Sequence, residues 1–224
     1  PSAEHPLGTD NQGYDVLARL MYGGRVSLIV SFMTVILLTV LGVIIGGIAG
    51  YFGGAVDNII MRVCDILMCL PGIPILLILS TLLDASEIDA KYRIYLLMIY
   101  LTFISWPGTA RLVRGQILSL REQEYVLAAQ AAGAKSGWII TKHLIPNSIS
   151  VVIISTALQI PNAIFTESYL SFLGLGVNAP MPSLGSLASD ALNGIRSYPH
   201  LLVIPAVVIS LIVLSLNLFG DGLR

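Results

Sequence analysis

Long apolar runs alternate with short polar segments along this chain. Five runs contain no Asp, Glu, Lys or Arg, and they lie between Arg25 and Asp57, Asp65 and Asp84, Arg93 and Arg111, Lys142 and Glu167, and Arg196 and Asp221. A membrane-spanning helix needs about 20 mostly apolar residues, and a charge at its centre costs about 2.5–3.5 kcal/mol. The pattern predicts five spans, at about residues 24–51, 59–83, 94–113, 147–166 and 201–219.

Glycines recur at every fourth residue towards the end of the first predicted span, at Gly42, Gly46, Gly50 and Gly54. This spacing of small residues allows two helix backbones to approach closely in lipid. The pattern indicates either a close helix–helix contact or a glycine-rich helix end that has no partner.

The second predicted span is interrupted near its middle by Pro71, Gly72 and Pro74. Such a break frees backbone groups that other protein or water must satisfy, and broken helices often line the substrate path of transporters. The three residues are therefore candidates for a translocation path, and a structural kink is the alternative. Before the break, Arg62 and Asp65 are spaced to form an ion pair along the helix.

A shorter amphipathic helix is predicted from Ser183 to about residue 196, with Ser183 as its cap. It is too short to span a membrane, so we expect it at the outer membrane surface. There Ser186 and Ser189 are candidates for contact with an external protein. We also predict a short surface helix at Tyr14–Tyr22 and a charged loop at Asp84–Arg93.

The polar segment at residues 115–145 is the longest interruption between predicted spans. Its stretch Glu122–Ala134 consists mostly of good helix formers with small side chains. A helix with so smooth a surface suits insertion into a groove on another protein. If this segment is cytoplasmic, seven basic residues lie on its side of the membrane and five on the other, as the positive-inside rule requires.

Composition agrees with a lipid environment, because 55% of the residues are hydrophobic, only 11% are charged and the mean hydropathy is +0.85. Soluble domains carry about 25% charged residues.

The net charge of −1 gives no basic surface for nucleic acid. The chain contains no phosphate-binding loop motif and no His-Glu-x-x-His motif, and Cys64 and Cys69 do not suggest a disulfide or metal site. We predict no catalytic residue and no metal.

A family resemblance follows from the polar segment. The stretch Glu124–Gly133, followed by Ile139–Asn147, resembles the signature of ABC importer permeases, which is Glu-Ala-Ala, three residues, Gly, nine residues, then Ile-x-Leu-Pro. Four residues match at the signature's spacing: Ala128, Ala129, Gly133 and Pro146.

Three positions depart from that signature, since Leu127 replaces the Glu, and His143 and Ile145 replace the Ile and Leu. Docking should therefore depend on small-residue fit rather than on a charge at position 127. Other stretches resemble the dipeptide and oligopeptide branch of the family, most of all its C-type permease: His5–Gly13, Asp15–Leu17, Gly23–Leu28, Asp57 with Met61, Arg62 and Asp65, Glu167–Gly176, Pro182–Gly185 and Asn217–Arg224.

The resemblance implies an all-α integral membrane protein with the fold of a type I ABC importer transmembrane domain. It implies one domain over residues 1–224, with a further helix expected before residue 1. The polar segment would be a coupling segment that docks on an ATPase subunit. The residues expected to carry that coupling are Tyr125, Ala128, Ala129, Gly133, Ala134 and Pro146.

The resemblance also implies a function and partners. The chain would be a non-enzymatic permease subunit that moves dipeptides or oligopeptides inward across a bacterial or archaeal cytoplasmic membrane. Its partners would be a second homologous permease, two ATPase subunits that bind ATP and Mg²⁺, and an external binding protein. No cofactor is expected on this chain itself. Glutathione-like peptides and nickel chelates are alternative substrates within the same branch.

Two other classes of function are weighed against this one. A secondary transporter or channel working without an ATPase is favoured by the broken second span, although ion-coupled carriers usually place ionisable groups inside the membrane. An intramembrane hydrolase would need a base near a Ser or Thr, and no base lies at a suitable spacing.

Overall fold

The computed structural model describes residues 2–10, 12–85, 90–177 and 181–223. Within these ranges the chain is helical, apart from turns and one isolated β-bridge between Thr9 and Asp15. The helices are α1 (Val16–Phe52), α2 (Gly54–Cys69), α3 (Gly72–Ala85), α4 (Ala90–Leu120), α5 (Glu124–Ala131), α6 (Ser136–Ile139), α7 (Ile145–Phe172), α8 (Leu184–Ala191) and α9 (His200–Gly222). The predicted all-α class is confirmed.

Four stretches of the described chain are helical, long and apolar enough to cross a membrane: Val16–Phe52, Tyr92–Leu120, Ser136–Phe172 and His200–Gly222. α2 and α3 together make a fifth candidate span, bent by 74° at a short break. The break contains Pro71, as the sequence predicts. Pro74 lies in the first turn of α3, where its missing N–H leaves no helix hydrogen bond unmade.

The predicted surface helix Tyr14–Tyr22 is wrong as a separate element, because α1 begins at Val16 and continues without a break. In the structure Arg19 forms ion pairs with Asp10 and Asp190, so its charge is matched where α1 begins. The predicted charged loop Asp84–Arg93 includes residues 86–89, which lie outside the described residues, and its two ends belong to α3 and α4.

The chain divides into two compact units. The first contains Pro1–Thr34, Ile73–Tyr100 and Ala157–Arg224, and the second contains Val35–Gly72 and Leu101–Thr156. Several long helices contribute to both units, so each unit is a cluster of helix segments rather than a continuous domain.

In the second unit α1 and α4 pack at very close range. An added Cβ at Gly42 would lie 2.6 Å from Thr109, at Gly46 2.3 Å from the carbonyl oxygen of Ala110, and at Gly50 2.8 Å from Ile117. The first three glycines of the predicted motif therefore make the expected close helix contact. Gly54 is different, since no atom lies within 4 Å of its added Cβ and its φ is +53°.

In the first unit α8 is held against α1 and α7. The Ser183 side chain caps α8 by accepting from the Ser186 backbone N–H at 3.1 Å, and the Ser183 N–H donates to the Ser186 hydroxyl at 2.8 Å. The predicted cap at Ser183 is confirmed. On α1, the Ser27 hydroxyl accepts from the Leu184 N–H at 3.2 Å.

Candidate functional site

The polar segment between α4 and α7 is well structured. α4 continues to Leu120, seven residues beyond the predicted end of its span. After a turn, α5 begins at Glu124, whose side chain lies in the first turn, where a negative charge is favourable. The Arg121 guanidinium donates to the Gly50 carbonyl oxygen at 3.3 Å. It therefore binds a carbonyl near the end of α1, a position that favours a cation.

Gly133 terminates α5 for a conformational reason. Its φ of +80° lies in the left-handed region that glycine adopts without strain. The Gly133 N–H donates to the Gln130 carbonyl at 2.9 Å, and the Ala134 N–H donates to the Ala129 carbonyl at 3.1 Å. These two bonds are the Schellman arrangement that closes a helix C-terminus. The glycine of the signature thus has a structural role that its spacing alone does not reveal.

One face of α5 is anchored in an apolar core. Val126 is completely buried. Its neighbours in that core come from α4, α6 and α7 and from the turn between the last two: Val113, Ile117, Ile139, Leu144 and Val152. Ala129 and Ala134 are partly buried against the same cluster. This anchoring fixes the orientation of α5 about its own axis.

The opposite face of α5 is exposed and apolar. Tyr125 is 39% exposed and Leu127 52% exposed, while Ala128 and Gly133 are exposed beside them. Trp138 of α6 is 49% exposed. The six residues predicted for coupling therefore separate into two groups, because Ala129 and Ala134 face the core whereas Tyr125, Ala128, Gly133 and Pro146 are exposed.

A π-helical turn, Ile140–Leu144, joins α6 to α7 and ends two residues before Pro146. Proline has no N–H to donate, so a regular α-helical bond cannot form at that point, and turns of this kind often occur at functional sites. The turn carries His143, whose ring centroid lies 4.8 Å from that of Trp138 and 5.9 Å from that of Tyr125. The sequence pattern does not predict this aromatic cluster, because Tyr125 and Trp138 lie 18 and 5 residues before His143 and only the fold brings the three rings together.

The other predicted site residues lie elsewhere. Ser186 on α8 is buried and bonded in the helix cap, which does not suit contact with another protein. Ser189, one turn later, is half-buried, and Asp190 is exposed. Pro71 and Pro74 are exposed in the isolated chain, and Gly72 is half-buried.

Comparison with known proteins identifies the family. Residues 42–224 match the family model described as "Binding-protein-dependent transport system inner membrane component". The chain is 40% identical over its full length to the oligopeptide transport system permease protein OppC of Bacillus subtilis (strain 168), covering 71% of that protein. It is 43% identical to the dipeptide transport system permease protein DppC of the same organism, covering 68%.

Two further comparisons extend this result. The glutathione transport system permease protein GsiD of Pectobacterium atrosepticum is 35% identical over 100% of this chain and 72% of its own length. An inward-facing structure of the MetNI methionine ABC transporter superposes with a TM-score of 0.71 over 92% of this chain and 94% of that one, at 18% identity. At that identity the likeness shows the fold alone. The chain belongs to the inner-membrane components of binding-protein-dependent transport systems, the permease family of ABC importers.

Proposed function

We propose that this chain is the permease subunit of an importer that takes up peptides, and that α5 couples it to ATP hydrolysis on partner subunits. The observation that carries the proposal is the exposed apolar face of α5, with Tyr125, Leu127 and Ala128, whose orientation the burial of Val126 fixes. Support for the substrate class comes from relatives named as oligopeptide and dipeptide permeases. The family favours this function over an ATPase-independent transporter.

Coupling would use the exposed group of signature residues. Tyr125, Ala128 and Gly133 would enter a groove on an ATPase subunit, while the core-facing Ala129 and Ala134 would keep α5 attached to α4 and α7. ATP and Mg²⁺ would be bound by the ATPases. Val126 packs in one core with side chains of α4 and α7. Movement of the docked α5 would therefore be passed to both helices.

The remaining partners belong to the same proposal. A second homologous permease would complete the path, and the break at Pro71, Gly72 and Pro74 would line it. An external binding protein would deliver the peptide on the side of α8. The assembly would lie in the cytoplasmic membrane of a bacterium or archaeon.

A Gly133→Trp variant tests the coupling role. We expect peptide uptake to fall at least about tenfold, equivalent to about 1.4 kcal/mol of lost docking, while the protein still inserts. An added Cβ at Gly133 contacts nothing within 4 Å, so the bulk would project away from the chain. Uptake would be measured in membrane vesicles that contain the binding protein and both ATPases.

The matched control is Gly133→Ala, because Ala meets the same backbone strain at φ +80° as Trp does and adds only a methyl group. It should retain most of the uptake. Undiminished uptake by a well-expressed Gly133→Trp variant would exclude the proposed coupling role.

A cysteine at Ser189 should crosslink to the binding protein during turnover, whereas a cysteine at Ser186 should not. The difference is expected because Ser186 is buried in the helix cap and Ser189 is half-buried. Crosslinking of both variants would be measured with a short bifunctional reagent. Absence of any crosslink from Ser189→Cys would argue against α8 as the docking surface.

A further inference from the structure

Two arginines on α4 contact acidic residues of α2 in the second unit. Arg114 binds Asp57, and Arg111 binds Asp65. The two acidic residues lie eight apart on α2, and the two arginines lie three apart on α4. The predicted pair of Arg62 and Asp65 is present at 3.7 Å, but both residues lie on α2, so it is the bond of Asp65 to Arg111 that joins the two helices.

The pair of Arg114 and Asp57 is bidentate. Arg114 Nε donates to Asp57 Oδ1 at 2.5 Å, and Arg114 Nη2 donates to Oδ2 at 2.5 Å. Bidentate arginine–carboxylate pairs add geometric specificity to their strength. Asp57 is only 8% exposed, so solvent screens this pair less than a surface pair.

The second pair restrains the angle between α2 and α4. Eight residues of helix rise about 12 Å, so Asp57 and Asp65 bind α4 at two well separated points of α2. One contact would allow α2 to pivot about it. The Asp65–Arg111 pair, although partly exposed, restrains that rotation, while the less exposed Asp57–Arg114 pair holds the position of α2.

α2 has few other contacts that could hold it. Its buried residues are Asp57 and Cys64, while the large apolar side chains of Val56, Ile59, Val63, Ile66 and Met68 are exposed. In the described residues of this chain, the two ion pairs therefore join α2 to α4 beside a small apolar contact, in which Cys64 is the one buried apolar side chain of α2.

We propose that the Asp57–Arg114 and Asp65–Arg111 pairs make α2 move with α4 when the coupling segment is displaced. The inference rests on the proposed coupling role of α5 and adds specific positioning residues to it. α4 continues without a break from Arg114 to Leu120, and three residues separate it from α5. Displacement of α5 is thus passed along α4 to α2, which ends just before Pro71.

Asp57→Asn and Arg114→Gln test the proposal in the complete transporter reconstituted in proteoliposomes. We expect peptides transported per ATP hydrolysed to fall about tenfold in each, within the range usual for coupling between sites, while hydrolysis on the partner ATPases continues. The exchanged variant, Asp57→Arg with Arg114→Asp, should recover most of that ratio. A purely structural role would lower expression and thermal stability but leave the ratio unchanged in the assembled fraction.

Arg62→Gln is the control, since Arg62 pairs with Asp65 of its own helix and the variant leaves the ion pairs of Asp65 with Arg111 and of Asp57 with Arg114 in place. The number of peptides that this variant transports per ATP hydrolysed should equal that of the wild type. Normal ratios in both single variants, or an exchanged variant as impaired as they are, would overturn the proposal. If the wild type itself shows no ATP-driven uptake, the proposed function fails instead.

A distance measurement tests the linkage without transport. Spin labels at Ile66 on α2 and Gly115 on α4, both exposed, should give one narrow distance distribution in the nucleotide-free and ATP-trapped complex. Asp57→Asn should broaden it. A wild-type distance that changes on ATP binding would show that α2 does not move with α4 and would contradict the proposal.

Discussion

A Gly46→Val variant is expected to lose the packing of the second unit. An added Cβ at this position would lie 2.3 Å from the Ala110 carbonyl oxygen and 3.0 Å from its Cα. These are backbone atoms on α4, so no side-chain rotation relieves the clash. We expect the free energy of unfolding to fall by about 3 kcal/mol, the upper end of the usual range for an overpacked core. The thermal unfolding midpoint of the detergent-solubilised protein measures this loss.

Gly47 provides the control for that experiment. It is the next residue of α1, and its added Cβ has only Ile140 Cγ2 near it, at 4.0 Å. Gly47→Ala should therefore leave the unfolding midpoint close to that of the wild type. A wild-type midpoint for Gly46→Val would mean that α1 and α4 do not approach as closely as described.

The second large effect is expected for Glu167→Ala. The Glu167 side chain is completely buried. It accepts from the Ser171 hydroxyl at 2.8 Å and the Ser168 hydroxyl at 3.3 Å, and it also faces Ser27 and Ser183. Each buried polar group left without a partner costs about 1–3 kcal/mol, so we expect a loss of about 3 kcal/mol or more and looser attachment of α8.

Reactivity of a cysteine at Ser189 with a water-soluble thiol reagent would report that loosening. The control is Glu167→Gln, which retains the shape of the side chain and one acceptor oxygen, and its effect should be much smaller. If Glu167→Ala retains both wild-type stability and wild-type reactivity at Ser189→Cys, the buried carboxyl does not hold α8.

Local sequence patterns were sufficient to predict the helices and several of their contacts. The uncharged runs correspond to α1, α4, α7, α9 and the broken pair α2 and α3. They could be predicted because the hydropathy of a span depends only on residues that are consecutive in the sequence. The glycine spacing also predicted a real contact. Element ends were less accurate where a distant partner decides them: α1 extends back to Val16 because Asp10 and Asp190 match the charge of Arg19.

The candidate site was predicted at the level of the segment and only partly at the level of side chains. Alanine and glycine have no polarity that marks an inner or outer face, so nothing distinguished Ala129 from Ala128. The difference arises from the core around Val126, whose members are separated by many residues in sequence. Likewise, the pair of Arg62 and Asp65 is local and was predicted, whereas the partner of Asp65 on α4 is not local and was missed.

The burial of Val126 has a consequence for how tightly a short helix can bind. α5 has only eight residues, and isolated helices shorter than about 12–15 residues are marginal in water. A free peptide of this sequence would have to lose its conformational entropy on binding. Attached to the core, α5 is already ordered, so less of its contact free energy would be lost to ordering on binding. In the proposed complex a small surface would then hold the ATPase because it is pre-organised rather than because it is large.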